Sequence, residues 1–170
     1  VAGHSEGSTI ASKMASINRK ITHLIYSGGN PYGRIMNILA QSRSFDTDSI
    51  NEGNNTINYW KKVVENPNEV NSGSGDSFKT TYSFSLPQKD NLMHLKIPVL
   101  ISYGTKDWSA PFNDLFQMEA IREKKDNCAF KSYLNLEHNY FPINENATVN
   151  QDIYNWDKIA QDWRNWLQEK

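Results

Sequence analysis

The chain has 170 residues, a formal net charge of −1 at pH 7 and a pI of about 6.5. This length suits one domain with its own core, and the near-neutral charge gives no sign of binding to nucleic acid or to an anionic membrane surface. The single cysteine excludes an internal disulfide and a thiolate metal cluster, and no apolar run is long enough to span a bilayer.

The first seven residues, Val-Ala-Gly-His-Ser-Glu-Gly, contain the pattern Gly-x-Ser-x-Gly. Apolar residues precede it and a helix is predicted over 6–17, so Ser5 stands at the tip of a strand-to-helix turn. Gly3 and Gly7 leave room for the neighbouring strand and helix, because a side chain at either position would collide with them. The backbone N–H of Glu6, at the start of the helix, is expected to point toward an oxyanion.

The same turn has two simpler interpretations. It could be a tight glycine-rich turn with a solvated serine, or a phosphate-binding turn. Neither of the glycine patterns that complete a phosphate site, G-x-x-x-x-G-K or G-x-G-x-x-G, follows in the sequence. The elements further along the chain therefore decide between these interpretations.

A strand is predicted over 21–26, where an apolar, β-branched run ends in Ser-Gly-Gly-Asn-Pro. Between this strand and residue 95 no further strand is predicted. Amphipathic helices are predicted over 35–39 and 57–64, and the Asn-Ser-Gly-Ser-Gly-Asp run at 71–76 indicates a flexible loop. We therefore assign residues 31–95 to a helical cap inserted between two parts of one domain.

Strands and helices alternate again in the last part of the chain. The near-continuous apolar run at 97–104 predicts a strand covered on both faces, and 128–134 predicts another. Pro111 opens a helix predicted over 112–124, and the last helix is predicted over 152–168. The predicted buried side of the first helix carries Leu115, Met118 and Ile121; the apolar face of the last carries Ile153, Trp156, Ile159, Ala160, Trp163, Trp166 and Leu167.

This order predicts an α/β fold with a parallel sheet, right-handed crossovers and helices on both faces. Its core consists of residues 1–30 and 96–170, on either side of the cap at 31–95. Active sites in such sheets lie at the carboxyl ends of the strands.

Three reactive residues stand just past predicted strand ends, namely Ser5, Asp107 and His138. Their order along the chain, Ser then Asp then His, is one of the three known orders of the Ser-His-Asp triad. A serine hydroxyl needs a neighbouring base to act as a nucleophile near neutral pH. The sequence therefore predicts that Ser5 is the nucleophile, His138 its base and Asp107 the acid that orients the base.

Rival residues are explained more simply. Asp114 falls in the first turn of a predicted helix, where a carboxylate stabilises the helix dipole, and the loop at 27–31 contains no carboxylate. Of the four histidines, only His138 follows the last predicted strand. His4 is expected to point elsewhere on the serine turn.

A substrate site is expected beside this triad, with contacts from His4, Tyr32 and Trp108. No cluster of His, Cys and carboxylate side chains has the spacing of metal ligands, so we expect neither a metal nor another cofactor.

On these residues the sequence resembles the α/β-hydrolase superfamily. Residues 3–7 look like its nucleophile elbow, 97–107 like its strand seven and acid loop, and His138 like its catalytic histidine. The resemblance implies a three-layer α/β/α domain of which this chain holds the equivalents of strands five to eight, as a C-terminal portion. The Gly-His-Ser-Glu-Gly form is similar to that of dienelactone-hydrolase-like and acyl-thioesterase-like bacterial members.

The implied function is that of a serine hydrolase of the carboxylesterase or thioesterase kind, which cleaves an ester-like bond of a small acyl substrate through an acyl-enzyme. The second oxyanion donor of this family comes from a loop outside the chain, and loss of one donor costs about 3 kcal/mol. The 170 residues alone are therefore expected to be weakly active or inactive, and a second chain is expected to cover the open edge of the first strand. A serine peptidase of the prolyl-oligopeptidase type and a non-catalytic hydrolase-like binding protein remain as alternatives.

Overall fold

The computed structural model describes residues 1–71 and 75–169. Residues 72–74, in the loop predicted over 71–76, lie outside this part. The described residues form four strands and seven helices. In chain order these are β1 (Ala2–His4), α1 (Glu6–Ile17), β2 (Leu24–Ser27), α2 (Arg34–Arg43), α3 (Glu52–Glu65), α4 (Phe78–Ser85), α5 (Lys89–His94), β3 (Val99–Gly104), α6 (Ala110–Arg122), β4 (Cys128–Tyr133) and α7 (Trp156–Glu169).

The four strands form one parallel sheet in the order β1-β2-β3-β4. Side chains alternate between the two faces of the sheet, so adjacent rows across it pack against opposite helix layers. The row that contains Ile25 and Leu100 packs against Trp166 of α7. The next row contains Phe130, whose ring lies 6.1 Å from that of Phe116 in α6. The arrangement confirms the predicted α/β class, with a parallel sheet between helix layers.

Helix α1 has the predicted bounds, but its larger apolar side chains point outward. Ile10, Met14 and Ile17 are 51%, 43% and 71% exposed, while the buried residues of the helix are Ser8, Ala11, Ser12 and Ala15. Small side chains on the inner face let the helix backbone approach the sheet closely. The spacing of the apolar residues therefore identified the helix but not its buried face.

The buried side predicted for α6 is wrong for the same reason. Leu115, Met118 and Ile121 are all exposed, and the residues that face inward are Ala110, Asn113, Phe116 and Ala120. Phe116 is fully buried, so this one large ring fixes the rotation of the helix, and the alanines leave it room. The last helix begins at Trp156, later than the predicted start at residue 152, so Ile153 precedes it. Within α7, Ile159 and Trp166 are buried as predicted, whereas Ala160 and Leu167 are exposed.

The chain divides into two compact units, Val1–Pro31 with Gln88–Lys170, and Tyr32–Pro87. The second unit contains α2, α3 and α4. Val63 is fully buried in it, and the half-buried rings of Trp60 and Tyr82 stack on one another. Helix α5 was predicted to belong to the insertion but lies in the first unit beside α1. Whether the second unit acts as a cap stays a prediction. Over residues 1–71 and 75–169, no helix combines the length and the apolar character of a membrane span.

Candidate active site

The serine turn has the close packing predicted at Gly3, but the collision predicted at Gly7 is wrong, because a Cβ there would have open space around it. Ser5 has φ 57° and ψ −125°, a conformation that non-glycine residues rarely adopt. Its N–H donates to the carbonyl of Ser27 (2.8 Å), and its own carbonyl accepts from the hydroxyl (2.5 Å) and the N–H (3.1 Å) of Ser8. A Cβ at Gly3 would fall on the carbonyl of Gly7. The surrounding backbone therefore holds the strained Ser5 in place.

Ser5, His138 and Asp107 form a continuous hydrogen-bonded line. His138 Nε2 lies 2.8 Å from Ser5 Oγ, and His138 Nδ1 lies 2.8 Å from Asp107 Oδ2. An ionised carboxylate can only accept hydrogen bonds, so Nδ1 carries the proton and Nε2 is left to accept the hydroxyl proton of Ser5. The structure thus brings together the three residues that the sequence singled out.

The Asp107 side chain is almost fully enclosed, with 1% of its surface exposed, while His138 keeps 31%. The second carboxylate oxygen of Asp107 accepts from the N–H of Ser109 at 2.9 Å. The hydrogen bond to Asp107 raises the pKa of His138 above its ordinary value of 6.5, although burial of the imidazole opposes this effect. The site therefore stabilises the imidazolium that forms when His138 takes up a proton.

The loop that carries His138 is fixed by the residue before it. Glu137 Oε1 accepts from the backbone N–H groups of Asn139 (2.8 Å) and Phe141 (3.0 Å). Asn155 donates its side-chain amide to the carbonyl of Tyr140 at 2.9 Å. Glu137 thus organises the loop backbone.

Five residues that meet beside the triad form a group that sequence reasoning missed. His4 Nδ1 lies 2.9 Å from Ser27 Oγ, which lies 2.6 Å from the hydroxyl of Tyr140. That hydroxyl lies 2.8 Å from Ser102 Oγ, which accepts from the indole N–H of Trp163 at 3.1 Å. The available signal was a serine near the end of each of two otherwise apolar strands, in register with His4.

The remaining predicted site residues occupy different surroundings. Glu6 is the first residue of α1, so its N–H belongs to the first helical turn beside Ser5. Trp108, next to Asp107, is 41% exposed. The ring of His4 packs against His138 instead of pointing elsewhere on the turn. Tyr32 begins the second unit, and substrate contacts by His4, Tyr32 and Trp108 stay predictions.

The rival acid and a metal centre can also be assessed. The expected place of Asp114 in the first turn of a helix is wrong, because the first turn of α6 contains no acidic residue. Asp114 Oδ1 instead accepts from the Tyr103 hydroxyl at 2.5 Å. Within the described ranges, 1–71 and 75–169, no three or more His, Cys, Asp or Glu side chains gather in a way that could hold a metal ion.

Neither a protein-family model nor a curated protein matches the chain. Solved structures do match it. Est1E from Butyrivibrio proteoclasticus is 18% identical with a TM-score of 0.56, over 99% of this chain and 59% of that protein. The α/β hydrolase GrgF from Penicillium sp. sh18 is 12% identical with a TM-score of 0.55, over 99% and 62%. An esterase from Pyrococcus furiosus is 12% identical with a TM-score of 0.50, over 99% and 51%.

At these identities the likeness is one of fold. The chain has the α/β-hydrolase fold, and it spans between half and two thirds of the length of these three proteins.

Proposed function

We propose that this chain carries the catalytic triad of a serine hydrolase, which transfers the acyl group of an ester-like small molecule to water. The observation that carries the proposal is the hydrogen-bonded line from Ser5 through His138 to the enclosed carboxylate of Asp107. The base, His138, is within hydrogen-bonding distance of both the nucleophile and the orienting acid, as nucleophilic catalysis by serine requires.

In the first half-reaction Ser5 Oγ attacks the acyl carbonyl carbon while His138 Nε2 takes the hydroxyl proton. Asp107 holds the Nδ1–H and stabilises the imidazolium. The carbonyl oxygen becomes an oxyanion, for which the N–H of Glu6 is the proposed donor. When the tetrahedral intermediate collapses, the bond to the leaving group breaks and His138 gives its proton to that group. Ser5 is left as an acyl ester.

In the second half-reaction water replaces the leaving group. His138 Nε2 takes a proton from the water as its oxygen attacks the acyl carbon, and the collapse of this second intermediate returns the proton to Ser5 Oγ. The products are a carboxylic acid and the alcohol or thiol of the leaving group. No cofactor enters either step.

A carboxylic ester is the substrate class that we propose first. The similar structure from Pyrococcus furiosus is named as an esterase, and one structure of Est1E holds ferulic acid. Trp108 offers a half-exposed aromatic surface directly after the triad acid, which would suit an apolar acyl or alcohol group. A panel of matched esters, thioesters and amides, assayed on the full-length protein, would test this choice; faster turnover of the amides would instead favour the peptidase alternative.

The nucleophile itself can be tested with a fluorophosphonate probe on the full-length protein. We expect the probe to label Ser5, and His138→Ala to slow labelling by at least a hundredfold, because the base contributes roughly that much or more. Ser16→Ala is the matched control, since Ser16 is an exposed serine on α1 that donates to the carbonyl of Lys13. Absence of labelling at Ser5, or equal labelling in His138→Ala, would favour a non-catalytic binding protein.

The 170 residues by themselves are expected to hydrolyse esters weakly or not at all. Robust turnover of a p-nitrophenyl ester by this chain alone would contradict that expectation.

Strand β1 pairs with β2 along one side. We propose that a second chain covers the other side, and a clean monomer in scattering experiments at high concentration would count against it.

A further inference from the structure

A chain of hydrogen bonds runs beneath the triad, on the face of the sheet that α7 covers. It links Trp163, Ser102, Tyr140, Ser27 and His4 in that order, with separations of 3.1, 2.8, 2.6 and 2.9 Å. Ser102, Tyr140 and Ser27 have no exposed surface. Buried hydroxyls that each bridge two partners form a network whose geometry is strongly specified.

Only the Trp163 end of this network has a fixed direction, because an indole N–H can donate but cannot accept, so Ser102 Oγ accepts from it. Each hydroxyl can donate one hydrogen bond and accept two. If Ser102 donates to Tyr140, Tyr140 to Ser27 and Ser27 to His4 Nδ1, every buried hydroxyl proton has an acceptor within the network. In that arrangement His4 Nδ1 accepts, and a neutral His4 carries its proton on Nε2.

Tyr140, at the centre of this hydrogen-bond network, has a strained backbone. Tyr140 has φ 63°, in the strained left-handed region that bulky side chains avoid. The conformation places its hydroxyl between two serines, while Asn155 holds its carbonyl. Because Tyr140 lies two residues after His138, the network also anchors the loop that carries the base.

His4 connects this hydrogen-bond network to His138 through a contact between their rings. Its ring lies 5.0 Å from that of His138, at an interplanar angle of 36°, and is held from other sides by Tyr140 and by the edge-on ring of Trp156. Gly28, with φ 57°, leaves the space between the two histidines open, because a Cβ there would lie 2.8 Å from His4 Cε1 and 3.4 Å from His138 Cε1.

The charge state of His4 suits such a role. Burial and the neighbouring His138 lower the pKa of His4 to about 4, although Asn139 and Asp107 oppose the shift. The charged groups that face the pair are Asp107, directly on His138, and Glu137 from the same loop. Near neutral pH, His4 is therefore uncharged and does not repel the imidazolium that forms on its neighbour.

We propose that His4 is a positioning residue for His138: the hydroxyl chain from Trp163 fixes its tautomer, and its ring keeps the His138 imidazole on the line between Ser5 and Asp107. The inference rests on the proposed function, because it gives His4 a task in the activation of Ser5. It assigns His4 to the support of the base, in place of the substrate contact expected from the sequence.

The first test is the tautomer of His4 in the full-length wild-type protein, measured by long-range ¹H–¹⁵N NMR at pH 7. We expect a neutral ring protonated on Nε2. A ring protonated on Nδ1, or a charged one, would overturn the inference without touching the triad.

The second test removes a hydroxyl from the chain. Ser27→Ala deletes the donor to His4 Nδ1, so the His138 ring loses its fixed position and part of its bond to Asp107. We expect the fluorophosphonate labelling rate at high pH to fall about tenfold, since small misplacements of a base are costly. The pH midpoint of labelling is expected to move down, because the bond to Asp107 is what raises the pKa of His138. A purely structural defect would reduce the labelled fraction and leave the midpoint unchanged.

Two matched controls separate this effect from the loss of any buried hydroxyl. Ser12 is a fully buried serine of α1 that does not belong to this hydrogen-bond network. Ser12→Ala is expected to keep both the labelling rate and the pH midpoint of labelling. Should Ser27→Ala not fold, Tyr140→Phe probes the same chain while keeping the ring, with Tyr103→Phe as its control. A normal labelling rate and a normal pH midpoint in Ser27→Ala would overturn the inference about His4 and leave the proposed function intact. The same holds for Tyr140→Phe where that variant replaces Ser27→Ala. Absence of Ser5 labelling in the wild type would overturn the proposed function as well.

Discussion

Replacing Asp107 by asparagine tests the proposed chemistry with almost no change of shape. Both carboxylate oxygens are in use, one by the N–H of Ser109 at 2.9 Å and the other by His138 Nδ1 at 2.8 Å. An asparagine has one acceptor and one donor in their place. If its NH₂ faced Ser109, a buried N–H would lose its partner, at a cost of about 1–3 kcal/mol. The amide therefore turns its NH₂ toward His138.

This orientation reverses the tautomer of the base. His138 Nδ1 must then accept, so its proton moves to Nε2 and points at Ser5 Oγ, where the mechanism needs a lone pair. A base in the wrong tautomer costs on the order of 10⁴ in rate, or about 5.5 kcal/mol of transition-state stabilisation. We expect this loss in Asp107→Asn, with the fold retained.

The assay is the rate of fluorophosphonate labelling of Ser5 as a function of pH, alongside ester turnover by the full-length protein. Wild type should lose labelling as pH falls through a midpoint above 6.5, because the pKa of His138 is raised. Asp114→Asn is the control, since its oxygen accepts from Tyr103 and an amide oxygen can do the same. A rate in Asp107→Asn within tenfold of the wild type would refute the roles assigned to His138 and Asp107.

Other predictions concern stability. Gly3→Ala should destabilise the fold by several kcal/mol in chemical denaturation, because its Cβ would meet the Gly7 carbonyl; a change below 1 kcal/mol would contradict the packing described for the turn. In the folded protein the pKa of His4 is about 4 instead of 6.5. The contribution of His4 to the free energy of unfolding is therefore present above pH 6.5 and is lost as pH falls toward 4. The stability difference between wild type and His4→Gln should therefore shrink by about 2 kcal/mol from pH 7.5 to 4.5, and a constant difference would refute this. Phe116→Ala should lower the free energy of unfolding by about 3–5 kcal/mol. Ile121→Ala, at a side chain 62% exposed, should change it by about 0.5 kcal/mol or less. Equal losses would instead support the buried face of α6 that the sequence predicted.

The convergence of Ser5, Asp107 and His138 could be predicted from the sequence because the position of each residue depends on a local signal. The glycines of the serine turn, the apolar run before Asp107 and the loop that contains His138 each mark the end of a strand. Parallel strands bring such ends to one edge of a sheet. Their mutual distances then follow from topology, without knowledge of the packing of any helix.

The rotation of the helices was not accessible in this way. In α6 the spacing of Leu115, Met118 and Ile121 is as regular as that of the face that is buried. The choice between the two faces depends on how closely the helix approaches the sheet, and a single large residue, Phe116, decides it. Periodicity alone gives small side chains such as alanine little weight, although they permit the closest contacts.

The role of Tyr140 lay beyond local patterns for a different reason. Its hydroxyl joins residues that are 113 and 38 positions away in sequence, and its left-handed backbone has no sequence signature in a tyrosine. Only the register of β2 and β3 places the two serines side by side.

The rings of Trp156 and His4 are in contact and nearly perpendicular, with 4.9 Å between their centroids. A protonated imidazole quenches the emission of an adjacent indole, whereas a neutral one does so much less. The chain has five tryptophans, so the difference in fluorescence between wild type and Trp156→Phe, followed as a function of pH, provides an optical readout of the charge on His4. The fold places a spectroscopic reporter within the site, so its protonation can be followed in dilute solution and in real time, without a label or a substrate.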